Sequence, residues 1–245
     1  MIKGIYKAAS GMVPRMKKQE ITANNIANAS TPGYKKDSTF IKELDTATKS
    51  ILPRKSDWQT PMIDQIYTDY SQGTFNKTGN PLDVAIEGEG FFVLESIDGG
   101  DRQYSRNGSF SVDIEGFLIS SSGFRVMGEG GPIEAAGGMV EINESGQLMI
   151  DGNITDRLQI VNFEDKSILG KVGSSGFMAP EDAGPLPAEG FSVRQGFLEN
   201  SNINVIKEMV GMIITLRNFE TGARMIQSQD ESLKTLFTQV GKTRM

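Results

Sequence analysis

Apolar residues in the last 45 positions recur at alternating steps of four and three: Val205, Met209, Met212, Leu216, Phe219, Ala223, Ile226, Leu233, Phe237 and Val240. Asp230 is the polar interruption in the series. This is the a/d seam of a heptad held for about five heptads. It predicts a helix over 204–239, about 54 Å long at its usual rise. A helix of that length needs an apolar partner beyond a small domain. Asn200, Ser201, Asn202 and Asn204 crowd its start as candidate N-caps. The N-terminus repeats the spacing with Ile5, Ala9, Met12, Met16, Gln19, Ala23 and Ile26. A second helix with its own seam is expected there. Pro14 falls inside it, loses the bond to the Ser10 carbonyl and clashes with it at about 3 kcal/mol, which predicts a kink near Ser10 to Pro14.

Between the two seams the period changes from 3.6 to 2. The runs "LDVAIEG", "GFFVLES", "QYSRNGSFSVD", "GFLISSSGFRVMG", "MVEINESGQLMIDG" and "DRLQIVNFED" are separated by turns containing glycine. Gly108, Gly116, Gly123, Gly128, Gly138, Gly146 and Gly152 are spaced for short hairpins, not for βαβ crossovers. Residues 34–76 are polar and weakly patterned, and 179–190 are rich in Pro, Gly and acids, so both read as connections. The expected fold class is α+β. Long N- and C-terminal helices pack as a coiled-coil-like stem, on each other or on neighbouring copies, around a central antiparallel β domain. The expected divisions are an N-terminal stem helix at 1–33, an extended connector at 34–76, the β domain at 77–200 and a C-terminal stem helix at 201–245.

Composition removes much of enzyme chemistry. The 245 residues include 28 Gly but neither Cys nor His, so disulfides, thiolate nucleophiles, imidazole bases and the commonest zinc ligands are missing together. A net charge of −6 hides an asymmetry: residues 1–36 carry seven Lys/Arg against one Glu, and 37–198 carry twelve against twenty-five acids. The basic N-terminus lacks interleaved aromatics, so a solvated helix face or a subunit contact is favoured over nucleic acid. The longest apolar run, "MVGMIITL" at Met209 to Leu216, is far short of a membrane span. Lys3 and Lys7 interrupt the apolar start, so no Sec signal peptide is expected.

Chemical motifs fail in turn. "GEGFFV" at Gly88 follows an apparent strand as a dinucleotide loop does, but Val93 stands where the third glycine belongs and another strand follows. The acid pairs Glu87/Glu89 and Asp113/Glu115 suit a glycosidase in principle, yet they flank hairpin turns, where acids are usually solvated. No catalytic residue, cofactor, metal, small-molecule substrate or inserted membrane segment is expected.

The stretch "ANNIANASTPGYKK", Ala23 to Lys36, places Asn24, Asn25 and Asn28 at the end of the first helix, where asparagine is a poor helix former. Ala23 and Ile26 belong to the seam, while Asn24 and Asn28 share another face. The amides either face solvent at a frayed end or bond across a close subunit contact that the alanines permit. Pro32 pushes Thr31 out of helical geometry, and Pro32-Gly33 favours a type II turn that takes the chain away from the helix.

These residues carry a resemblance. "SGM…ANNIANASTPGYK" from Ser10 to Lys35 resembles the N-terminal signature of the bacterial flagellar rod and hook family. "QGTFNKTGNPLDVAIEGEGFFV" (Gln72 to Val93), "YSRNGSFSVDIEGFLISSSGFRVMG" (Tyr104 to Gly128) and "GFLENSNINVIKEMVGMI" (Gly196 to Ile213) are similar to its later blocks, in order. The resemblance implies a non-enzymatic axial subunit of the basal-body rod in the periplasm. Its terminal helices form the inner tube, its β domain sits outside, and its partners are itself and adjacent rod proteins. It also implies export through the flagellar type III apparatus without cleavage. Length and a single β domain exclude the short rod proteins and the longer hook protein, and "MIKGIYKAASGM" resembles the proximal rod component more than the distal one. Ile5, Met12, Met16, Ala23, Asn24, Asn25, Ile26, Asn28 and the C-terminal seam become candidate subunit contacts, with Pro32 and Gly33 as the exit turn. A competing class is a secreted carbohydrate-binding or carbohydrate-active β domain with oligomerising ends.

Overall fold

The computed structural model describes residues 2–45, 59–97, 99–135, 138–180 and 183–242. The chain divides into two compact units, one of residues 1–27, 37–68 and 204–245, the other of residues 28–36 and 69–203. It is an α+β protein with a helix at each end and an antiparallel β region between.

In the first unit, helix α1 (Ile2–Ala27) runs without interruption through Pro14, and helix α2 (Val205–Lys242) is 38 residues long. Asn204 is the cap of α2 among the four candidates: its Oδ1 accepts the Lys207 N–H at 3.0 Å and its carbonyl accepts from Glu208 N at 3.0 Å. The helices run antiparallel. Arg15 Nη1 donates to the Asn218 carbonyl at 3.1 Å, and Met12 lies against Gly222. Residues expected to be connector form paired strands instead: Asp37–Asp45 lies antiparallel to Gln59–Thr68, with a register break between Phe40 and Ile41. Their alternation is obscured in the sequence because polar residues such as Thr39 and Gln65 occupy ladder positions.

The second unit is built on a nine-stranded sheet, and among the described residues every strand pair is antiparallel. At its centre, Phe91–Glu95 pairs with Arg102–Ser105 on one side. On the other it pairs with Arg125–Val126 and Ile160–Asn162. The unbroken apolar run here is explained by burial on both faces. Phe92 and Leu94 enter a core with Val84, Ile86, Phe110 and Leu148, while Phe91 and Val93 enter a second with Tyr104, Phe163 and Phe177. The second core is aromatic: Phe91 meets Phe177 edge-on at 5.6 Å, and Tyr104 meets Phe163 at 4.8 Å. Two short ladders, Phe75–Lys77 with Phe197–Glu199 and Val84–Glu87 with Ser192–Gln195, bring distant parts of the sequence side by side.

Candidate functional site

The chain leaving the N-terminal helix turns twice. Thr31 N donates to the Asn28 carbonyl at 3.1 Å and Tyr34 N to the Thr31 carbonyl at 3.3 Å. Gly33 then adopts φ +69°, and a Cβ there would sit 2.3 Å from Asn107 N, so glycine is required both by the backbone angle and by the close approach. The Gly33 N–H donates to the Glu199 carbonyl at 2.8 Å, which fixes the turn against the strand Phe197–Glu199.

Two residues later Lys35 is driven into the protein with 1% of its surface exposed. Its Nζ donates to Glu199 Oε1 at 2.6 Å and to the Ser71 carbonyl at 2.8 Å. Glu199 Oε1 also accepts the Gly73 N–H at 2.9 Å, while Oε2 faces Arg106 Nη1 at 3.4 Å. Arg106, also buried, donates through Nη2 to the Gly88 carbonyl at 2.9 Å and stacks over Phe91. Its Nε has no hydrogen-bond partner among the described residues. The group therefore holds two buried cations against one carboxylate. Burial pushes the Lys35 ammonium down from its ordinary value, against the opposing pull of Glu199, and burial lowers the Arg106 guanidinium in the same way.

Neighbouring bonds extend this junction. Lys36 N donates to Asn202 Oδ1 at 2.9 Å, and Asn202 Nδ2 donates to the Asp69 carbonyl at 2.8 Å. Lys171 Nζ reaches the Lys35 carbonyl at 2.5 Å and sits over the Tyr34 ring. Asp69 is desolvated, but bonds from the Ser71 backbone and hydroxyl and from Lys36 outweigh that and hold its carboxyl below the usual range. Lys35, Arg106 and Glu199 were missed as a site by sequence reasoning. A lysine ending a turn reads as solvent-facing, and only their membership of the quoted blocks marked them.

The predicted assembly residues are distributed unevenly. In α1, Met12 and Ile26 are half-buried, Met16, Ala23 and Asn24 exposed, and Asn25 2% exposed. Asn25 closes both ends of its amide on one backbone position of its own chain: Oδ1 accepts Asp37 N at 3.0 Å and Nδ2 donates to the Asp37 carbonyl at 2.8 Å. Asn28 is half-buried and holds the Thr31 turn, Pro32 is half-buried, and Gly33 is buried. In α2, Met212, Phe219, Ala223, Ile226 and Leu233 are half-buried, whereas Val205, Met209, Leu216 and Phe237 are exposed. Thr215, outside the seam, is buried with its hydroxyl on the Gly211 carbonyl. The side chains of Ile5 and Val240 lie outside the described residues. The first half of α2 exposes a broad apolar face: Ile206, Met209, Val210, Ile213, Ile214 and Leu216 are all exposed, Ile206 by 77%.

Among the described residues no group of three or more acids could hold a metal, and no helix is long and apolar enough to cross a membrane. The buried charges bond to their own chain, so the junction braces the fold. Three family models match the chain. "Flagella basal body rod protein" matches residues 5–35, "Flagellar hook protein FlgE/F/G D1 domain" residues 85–156, and "Flagellar basal body rod FlgEFG protein C-terminal" residues 194–238. The flagellar basal-body rod protein FlgG of Agrobacterium fabrum is 32% identical over 91% of this chain and 94% of its own. FlgF of Caulobacter vibrioides is 29% identical over 99% of both chains, and FlgG of Borreliella burgdorferi 30% identical over 95% of this chain and 97% of its own. The chain belongs to the flagellar basal-body rod protein family. It is a structural subunit of the rod.

Proposed function

We propose that this subunit polymerises through its terminal helices, which combine with those of neighbouring copies and adjacent rod proteins into a coiled-coil-like stem of the torque-transmitting rod. The observation that carries this reading is the first half of α2. There, a broad face of the helix is apolar, and Ile206, Met209, Val210, Ile213, Ile214 and Leu216 remain exposed within one chain. A wide apolar face on a helix is stabilised when another element covers it. Covering six half-exposed side chains of this kind contributes about 1 kcal/mol each, or about 6 kcal/mol per subunit. Asn24 and Asn28, at the C-terminal end of α1, are read as further contacts between subunits.

The proximal rod position is favoured by the opening "MIKGIYKAASGM", and the distal position is the alternative. Export through the flagellar type III apparatus without a cleaved signal follows from the same family reading, as does the absence of an enzymatic role. The test replaces Leu216 with Asp in the full chain. An unpaired carboxylate in a covered helix contact costs several kcal/mol. The expected result is normal expression, an unchanged melt of the β unit, few intact basal bodies and non-motile cells, with Lys17→Ala as an exposed control. Wild-type motility and basal-body yield from Leu216→Asp would remove this face of α2 from the assembly contact.

A further inference from the structure

A second feature lies on the nine-stranded sheet, away from the buried ionic junction. The turn Ser120–Gly123 and the turn Gly173–Gly176 face one another across a cleft of about 310 Å³. Leu94, Val172 and Phe124 are its apolar lining. No acidic or basic side chain lines it. Its polar groups are hydroxyls and carboxamides: six serines, Asn107 and Gln103.

Some of those groups support the walls and others are left for a ligand. Ser105 donates to the Ser175 carbonyl at 2.9 Å and accepts Asn107 N at 3.0 Å, tying the two sides together. Asn107 Nδ2 donates to the Ser121 hydroxyl at 3.1 Å, which leaves the Ser121 proton free to donate into the cleft. The Gln103 amide and the hydroxyls of Ser174 and Ser175 have no hydrogen bond among the described residues. Gln103 Oε1 would lie 3.0 Å from a Cβ on Gly176, so glycine at that position keeps room beside the amide.

We propose that this cleft is a binding site for an uncharged saccharide. The argument is chemical complementarity. A pyranose presents hydroxyls around its rim and aliphatic C–H groups on its faces, and it carries no charge. The cleft offers rotatable hydroxyls and one two-way amide beside aliphatic and aromatic lining. A charged ligand finds no counter-ion there, and burying it unpaired is unfavourable. The volume is at the lower end for small-molecule sites, which suits one or two sugar rings. The site is independent of the helix contacts that carry the assembly reading.

The experiment titrates the purified full-length chain with N,N′-diacetylchitobiose and with cellobiose, followed by saturation-transfer NMR and calorimetry. Gln103→Ala removes the free amide, and Ser175→Phe fills the cleft while keeping the backbone carbonyl that Ser105 uses. Saturable binding of either sugar is expected, weakened about tenfold by Gln103→Ala, the effect of one lost hydrogen bond to a bound polar group, and abolished by Ser175→Phe. Thermal melts check that both variants remain folded. A site that binds neither sugar at tens of millimolar, or binding that is unchanged in both folded variants, overturns the proposal.

Discussion

Replacing Glu199 with Gln tests the buried junction with the smallest change of shape. The carboxylate of Glu199 accepts from Lys35 Nζ at 2.6 Å and Gly73 N at 2.9 Å on one oxygen, and faces Arg106 on the other. An amide keeps one acceptor and turns the other into a donor, which must then oppose either Arg106 or the Lys35 and Gly73 donors. It also takes away the buried counter-charge of both cations and leaves them only the more distant Asp69 and Glu89. Breaking a buried pair in this way costs about 3–5 kcal/mol, a large part of the stability of an ordinary domain. For a unit of this size each kcal/mol shifts the melting temperature by about 3 °C, so a fall of about 10–15 °C is expected in a calorimetric scan. The pH dependence has a definite sign. Glu199 raises the Lys35 pKa against burial, so its removal lowers that pKa further below 10.5. Between the lowered value and 10.5 the unfolded chain holds more protons than the folded one, and stability therefore rises with pH. The deficit of Glu199→Gln is expected to shrink as the scan moves from neutral pH towards about pH 10. A second arm, Lys35→Met combined with Glu199→Gln, should be less damaging than the sum of the two single changes because the pair is coupled. Strictly additive effects, or a melting temperature within about 2 °C of the parent, would refute the account of the junction as a charge pair sealed from water.

Gly33→Ala is expected to destabilise the same unit by about 1–3 kcal/mol, since φ +69° is strained for alanine and the new Cβ would press on Asn107 N; chemical denaturation measures the shift. Asn25→Ala leaves the N–H and carbonyl of Asp37 without their partner, at about 1–3 kcal/mol for buried groups, and faster amide exchange at Asp37 is the readout. Acid below the ordinary carboxylate range should release Glu89. Bonds from Lys166 and Asn162 hold its carboxyl below its usual range, so the stabilisation is complete above the ordinary carboxylate pKa and disappears as pH falls through the lowered one. Because Glu89 is largely exposed, the loss is small, and NMR titration of its carboxyl is the direct check.

Helix existence was legible from spacing because the helix period is local: α2 ends within a few residues of its expected limits, and Asn204 caps it. The paired-strand character of the central region was legible in the same way, and the double burial of Phe91–Glu95 is already implied by an unbroken apolar run. Which members of the seam face α1 was not legible. Met212, Phe219 and Ile226, seven residues apart, share one heptad position and are half-covered, while Met209 and Leu216 hold the other position and are exposed; spacing gives both positions of a seam but not the side from which another element approaches. The asparagines show the limit most directly. Sequence spacing treats Asn24 and Asn25 alike, yet the fold assigns Asn25 to the backbone of Asp37 and leaves Asn24 exposed, because a strand twelve residues further on returns to that face. The junction belongs wholly to the tertiary structure. Lys35, Gly73, Arg106 and Glu199 come from four separated blocks, and each alone reads as surface or turn. The ladder of Phe75–Lys77 with Phe197–Glu199, the Gly33 bond to the Glu199 carbonyl and the pairing of Phe91–Glu95 with Arg102–Ser105 bring them within bonding distance, and exclusion of water there turns ordinary surface charges into a buried clamp.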